Sequence, residues 1–425
     1  MKSYPSYKSS EFGLISKIPT HWDENTIKRG FEITLGKMLQ SESKQDTDFL
    51  APYLRSANVQ SGKVDVSDMQ EMWFSPSEAI QLALEPGDLV VCEGGDAGRA
   101  AFWNGEIEVC YFQNAVNRVR SCGGNSPKYL MYWMSVIKDG RYLDIICNKA
   151  TIAHLTKEKL SNLPMLYPPH DEQIAIAGYL DAETTRIDLL IREKHSLLPL
   201  LDEAKSSANE RATRPPIGGT CNPLSRFTDR ISTGPFGSAL HSSDYISGGV
   251  AVINPTHIVD NNVVPDQEVT VSKEMAEKLG TYRLSENDIV VGRRGEMGRC
   301  AVISRDVNWL CGTGCLMITP EIGKVLPEFL QLVISSRASR DWLSLESVGT
   351  TMDNLNSEIL GRLPCFVPSI QDQLSRLHEA QREIEALDKL CECVKAEIEL
   401  LKELRSSTIT DAVLGRIDVR KAKNN

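Results

Sequence analysis

Few side chains in this sequence stand at spacings that support covalent or metal chemistry. Cys311 and Cys315 flank Thr313 and Gly314 closely enough to begin a tetrahedral metal site, but no second Cys or His pair at ligand spacing follows, so no metal is expected. Pro265-Asp266 could open a nuclease carboxylate cluster, yet no Glu-x-Lys comes after it. "INPT" (253–256) lacks the aromatic ring that adenine-methylating enzymes stack on a flipped base. The seven His residues include no pair at i and i+4, and a Gly-x-Ser-x-Gly elbow is absent. A phosphate-cradling glycine loop followed by Lys and Ser or Thr is absent too, and the glycines of "GGDAGR" and "RRGEMGR" read as tight turns between strands. No catalytic residue is therefore assigned.

What the sequence does carry is a repeat. "LEPGDLVVCEGGDAGRA" (84–100) returns as "LSENDIVVGRRGEMGRC" (284–300), pairing Asp88 with Asp288, Gly95 with Gly295, Gly98 with Gly298 and Arg99 with Arg299. The offset of 200 survives to "ATIAHLTKEKLSNLPMLYPPHDEQ" (150–173) and "TTMDNLNSEILGRLPCFVPSIQDQ" (350–373), where Thr151 meets Thr351, Leu155 meets Leu355 and Gln173 meets Gln373. So long a period signifies a duplicated module rather than a stacked array.

Within each module, short apolar runs such as "DLVVC", "DIVVG" and "LMITP", punctuated by Gly and Asn, predict strands and turns. After Pro168, Pro169 and Pro368 the pattern becomes heptad-like. Ala177, Leu180, Ile187, Ile191, Leu198 and Leu201 share one stripe; Leu377, Ala380, Leu387, Cys391, Ile398 and Leu401, with Ile384 and Val394, share the matching one. These stripes read first as self-packing of two helices in one chain and also fit docking of a partner. Thr184 and Lys194 interrupt the first, and Pro199 is expected to kink or end its helix early, leaving the second longer and straighter. The fold class is α+β: two similar mixed, strand-rich globular domains, each followed by a long α-helix. The expected divisions are a first domain (1–169), a helix (170–205), a linker (206–223), a second domain (224–368), a helix (369–415) and a C-terminal tail (416–425).

With 425 residues the chain exceeds a single ordinary core, in keeping with that plan. Its 11 cysteines, an odd number with no Cys-x-x-Cys pair, read as reduced thiols. "MKSYPSYKSSEFG" lacks a secretory apolar core and no apolar run reaches membrane-spanning length, so a cytoplasmic protein without a membrane partner is expected. The net charge of -10 counts against nucleic acid as a partner unless basic groups are placed locally or supplied by other subunits.

"GLISKIPTHW", "PYLRSANVQSGKV" (52–64), "PGDLVVCEGGDAGRAA" and above all "ATIAHLTKEKLSNLPMLYPPHDEQIAIAGYLDAETTRID" resemble the specificity subunits of type I restriction-modification enzymes over nearly the whole chain. The second copy, "PSIQDQ", keeps only Pro368 and Gln373 of the Pro-Pro-x-x-Glu-Gln boundary. The resemblance implies two target-recognition domains, each reading half of an asymmetric bipartite site in double-stranded DNA. It implies that the two helices pack antiparallel as a coiled-coil-like spacer and that two modification (methyltransferase) subunits dock on the helices and flanking surfaces. It implies further that restriction and motor subunits complete the assembly. S-adenosylmethionine, ATP and magnesium would belong to those partners, with no cofactor in this chain. DNA contacts are expected from Arg55, Asn58, Gln60, Lys63, Arg99, Gln113 and Asn114 in the first domain and from Thr256, His257, Arg293, Arg294 and Arg299 in the second. Arg and Asn offer paired donors and acceptors that read guanine and adenine edges. Arg99 and Arg299, present in both copies, suit phosphate positioning. The competing reading is a coiled-coil scaffold with two protein-binding heads; a single-chain nuclease or methyltransferase stands behind both.

Overall fold

The computed structural model of the protein describes residues 3–13, 15–60, 62–140, 154–236, 239–347 and 355–420. The repeat pair Thr151 and Thr351 lies outside them, as does the chain beyond Arg420. Two compact units emerge, one formed by residues 1–194 with 397–425 and the other by 195–396. Among the described residues no helix is long and apolar enough to cross a membrane.

In the first unit, four strands are ordered Ala100–Phe102, Leu89–Cys92, Val116–Ser121, Phe31–Leu35, all antiparallel. The second unit repeats that order with Cys300–Val302, Ile289–Gly292, Cys315–Pro320 and Thr228–Thr233. The central strand is buried along its whole length because both faces are covered, and the period of two divides its side chains between two cores. Leu89 and Val91 face a helical core, whereas Val90 and Cys92 face a smaller sheet; Ile289 and Val291 part from Val290 in the same manner. In that smaller sheet, Phe49–Leu54 runs parallel to Tyr111–Phe112 and antiparallel to Gln70–Phe74. Val250–Ile253 likewise pairs parallel with Trp309–Cys311 and antiparallel with Thr270–Val271.

Helix α1 (Pro127–Asp139) closes the first helical core, begun by the Ser126 hydroxyl, which accepts the Tyr129 N–H. The long helix α2 (His170–Thr213) follows. In the second unit, α3 (Pro327–Ser335) takes the place of α1, and the long helix α4 (Ile370–Val413) comes after it. One buried glutamine roots each long helix. Gln173 accepts the Ser126 N–H at 2.9 Å and donates to the Pro168 carbonyl at 2.9 Å; Gln373 accepts the Leu326 N–H at 2.8 Å and donates to the Pro368 carbonyl at 2.8 Å. This shared duty gives a physical reason for a glutamine at the same place in both copies.

The long helices pack against each other antiparallel, since partner numbers on α4 fall as those on α2 rise. In the first unit Asp188 meets Arg405 at 2.8 Å and Lys194 meets Glu397; in the second, Lys205 meets Asp388 at 2.7 Å and Arg211 meets Glu383 at 2.5 Å. Ala177, Leu180 and Ile187 are buried, and Ile191, Leu198 and Leu201 half-buried. On α4, Val394 and Ile398 are buried and Leu377, Ile384, Leu387 and Leu401 half-buried.

Three expectations are corrected here. Both long helices have 44 residues, so Pro199 does not end α2. Pro199 and His195 are exposed, and the carbonyl that proline leaves without an N–H can be hydrated. Thr184 does not break the seam, because its buried hydroxyl donates to the Leu180 carbonyl one turn earlier at 2.7 Å. Nor do residues 416–420 of the expected C-terminal tail stand apart from the core: Val419 joins the first helical core, with Leu414, and Asp418 is buried. Gly415 makes that turn possible. Its φ of 69° is left-handed, its N–H reaches the Ala412 carbonyl and that of Arg416 reaches the Asp411 carbonyl, while a Cβ there would lie 3.0 Å from the Trp22 ring.

Candidate nucleic-acid interface

Most of the candidate residues lie on or beside two loops of each unit. The first loop is the hairpin tip "EGGDAGR" (93–99) or "RRGEMGR" (293–299), joining the central strand to its edge neighbour. Gly95, Gly98, Gly295 and Gly298 all take left-handed φ between 77° and 82°, which accounts for glycine at these four places. The second loop is a single 3-10 turn, Ser56–Asn58 or Pro255–His257, leading into a two-stranded ribbon.

A cationic clasp ties the two loops together in both units. Arg99 donates to the Ser56 carbonyl at 2.8 Å, and Arg299 donates to the Pro255 carbonyl at 3.4 Å. An acid on each tip faces that arginine and is held from behind by a helix cation. Asp96 lies 3.6 Å from Arg99 and 2.7 Å from Lys138; Glu296 lies 3.2 Å from Arg299 and 2.8 Å from Arg340. Sequence reasoning missed these four partners. The signal was an acid three residues before each repeated arginine, but the cations beyond are set by tertiary packing.

The turns are built alike from different side chains. Asn58 is buried, and its amide makes four bonds within the chain: its oxygen accepts from the backbone N–H and Nε of Arg55, and its nitrogen donates to the carbonyls of Asp65 and Asp68. His257 occupies the same place in the other copy, with Nδ1 accepting the Asn254 N–H at 3.2 Å. Both act as turn caps, and Asn58 has no polar atom left for a base edge. Arg55 is half-buried and held to Asp68 at 2.8 Å.

Arg293 is also turned inward. It is 6% exposed, donates from Nε to the Leu355 carbonyl at 2.8 Å, and lies 4.5 Å from the Phe236 ring centroid. Burial, followed by the like charge of Arg294, holds its guanidinium below the ordinary value. Arg294, Thr256, Gln60 and Lys63 are exposed, with Gln60 donating to the Ala57 carbonyl. Gln113 and Asn114 are half-buried where the third strand of the smaller sheet hands over to Val116–Ser121. In sum, Gln60, Lys63, Thr256 and Arg294 face solvent; Asn58, His257 and Arg293 serve the interior; and Arg55, Arg99 and Arg299 are held to backbone or to acids. At the positions of Glu93 and Gly94 the second copy has Arg293 and Arg294, of which only Arg294 is exposed, so equivalent scaffolds differ by one surface cation.

Cys311 and Cys315 are buried, and burial pushes the Cys311 thiol up to about 12 and that of Cys315 well above its ordinary value. Among the described residues no group of three potential metal ligands occurs.

Residues 19–198 and 237–405 match the family model for the type I restriction modification DNA specificity domain. The chain is 26% identical over 173 residues to the type I restriction enzyme EcoBI specificity subunit of Escherichia coli, a match spanning 41% of this chain and 35% of that protein's length. Two solved structures share the fold. The HsdS subunit from Thermoanaerobacter tengcongensis aligns with a TM-score of 0.58 at 15% identity, covering 94% of this chain and 98% of its own. A chain from work on complex assembly and conformational transition of the type I R-M system aligns with a TM-score of 0.70 at 14% identity, covering 94% and 99%.

Proposed function

The chain belongs to the type I restriction modification DNA specificity family, and from that premise we propose that it is the DNA-reading, non-catalytic subunit of a methylating and restricting complex. Each unit reads one half of an asymmetric, two-part target in double-stranded DNA. The observation carrying this reading is the clasped hairpin and turn that recurs on one scaffold with a dissimilar tip, Gly94 in one copy against the exposed Arg294 in the other. A shared frame with different exposed groups is what two half-sites of different sequence require.

In this reading Arg294, Thr256, Gln60, Lys63, Gln113 and Asn114 reach the duplex, while Arg99 and Arg299 position the loops. The helix pair α2 and α4, each about 66 Å long, is the spacer that fixes the interval between half-sites. The recognition domains are residues 1–169 and 224–368. Two modification subunits dock on the helices, supported by exposed apolar side chains at repeat-related positions: Ile174 and Leu374, Leu200 and Leu400. Those subunits supply S-adenosylmethionine chemistry, and restriction subunits supply ATP- and magnesium-dependent cleavage, in the cytoplasm. Mapping methylated adenines in cells with and without this chain tests the reading. A two-part motif that disappears with the chain is expected; an unchanged methylome in the presence of the cognate modification subunits would refute it.

A further inference from the structure

Duplication makes each unit a template for the other, and one place filled in the first is open in the second. Helices α1 and α3 correspond residue by residue: Tyr129 with Phe329, Leu130 with Leu330 and Met134 with Ile334 are all buried. Trp133 and Val333 break that likeness. The Trp133 ring is fully buried, and its Nε1 donates to the Pro164 carbonyl at 2.9 Å. Pro164 recurs as Pro364 in an equivalent frame, since the preceding Leu163 and Leu363 carbonyls accept the N–H groups of Ile27 and Leu224. Val333 has no side-chain N–H to offer the Pro364 carbonyl.

A second indole is missing as well. Trp22, fully buried in the first unit, lies against Gly415, whose counterpart is Pro215. Counted back from Ile27 and Leu224, the counterpart of Trp22 is Gly219. Where the first unit places two indoles, the second has a valine and a glycine. A cavity of about 470 Å³ lies beside Val333, with Leu363, Pro364, Phe366, Trp342 and Pro215 among its walls and the charged Glu210 and Arg214 also lining it. That volume falls within the range of small-molecule sites, which combine mostly apolar walls with a few polar groups.

We infer that the second unit carries a binding site for an indole-sized planar aromatic group with an N–H donor, held between Phe366 and Trp342 and accepted by the Pro364 carbonyl. The inference is independent of DNA reading. The group is either a free small molecule or a tryptophan side chain of a partner, and two probes separate these sources. The full chain is titrated with indole and with N-acetyltryptophanamide, and the melting transition of the second unit is followed by calorimetry. A rise of roughly 2–4 °C at about five times the dissociation constant is expected. A response to indole alone assigns the site to small molecules; a response to both assigns it to a peptide-borne ring. In Val333→Trp the new ring fills the space, so the response to both probes is lost; Val333→Phe provides the same test if the larger ring impairs folding. No shift with either probe on the unaltered chain, or an undiminished shift in a folded filled variant, would overturn the assignment.

Discussion

Arg99 and Arg294 are both cations of the hairpin loops, yet their surroundings differ. Arg294 is exposed on the hairpin tip, whereas Arg99 is half-buried and occupied by the Ser56 carbonyl and Asp96. Arg294→Ala removes an exposed cation from the proposed DNA-facing surface and reduces the slope of log affinity against log salt by about 0.9. Arg99→Gln weakens binding by loosening the loop and leaves that slope unchanged; filter-binding titrations across salt concentrations distinguish the two. Glu78 gives a separate check on acid sensitivity. Burial pushes its carboxyl up, but bonds from Lys37 and Ser75 outweigh this and hold it below its ordinary 4.5. A carboxyl depressed in the fold stabilises at neutral pH, and that contribution is lost as pH falls below about 4.5 and through the folded value. Denaturation of Glu78→Gln should therefore show a shallower loss of first-unit stability in acid than the unaltered chain shows. The sequence made the repeated arginines legible through the offset of 200. It did not disclose that Asn58 and Arg293 face inward, because Asp65, Asp68, Phe236 and Leu355 approach them only through the fold, nor that His257 caps its own turn by accepting the Asn254 N–H.

At the scale of elements, the roots of the long helices and the passage of α2 through Pro199 are the decisive features. Gln173→Ala leaves the half-buried Ser126 N–H and the buried Pro168 carbonyl without this partner, and Gln373→Ala does the same to the half-buried Leu326 N–H and the Pro368 carbonyl. Each change should lower the stability of its own unit by roughly 2–3 kcal/mol, read as a shift of one transition in a urea melt. Pro199→Ala restores a helical hydrogen bond at an exposed site and should stabilise the helix pair by roughly 1–3 kcal/mol. Heptad spacing disclosed both helices, and the turn glycines disclosed the hairpins. The reach of α2 was misjudged because a local rule about proline says nothing of a neighbouring helix that holds the chain in line on both sides of it. Thr184 was misjudged for a related reason: a hydroxyl can satisfy itself on the preceding turn and remain in an apolar seam.

For the whole molecule, duplication explains both the sameness of the scaffolds and the freedom of their surfaces. Sheet order, hairpin glycines, clasp arginines and root glutamines recur because each meets a backbone requirement that both copies share. Loop tips and cavity walls differ because no such requirement binds them. The net charge of -10 fits a subunit whose partners complete the DNA clamp, so the lone chain should bind duplex weakly and with steep salt dependence. The central claim is that each unit reads its own half of a split target. It is tested most directly by mapping methylated adenines in cells where the cognate modification subunits work with the double variant Thr256→Ala, Arg294→Ala. The account predicts a motif that relaxes in one half and is unchanged in the other, whereas alteration of both halves together, or of neither, would contradict it.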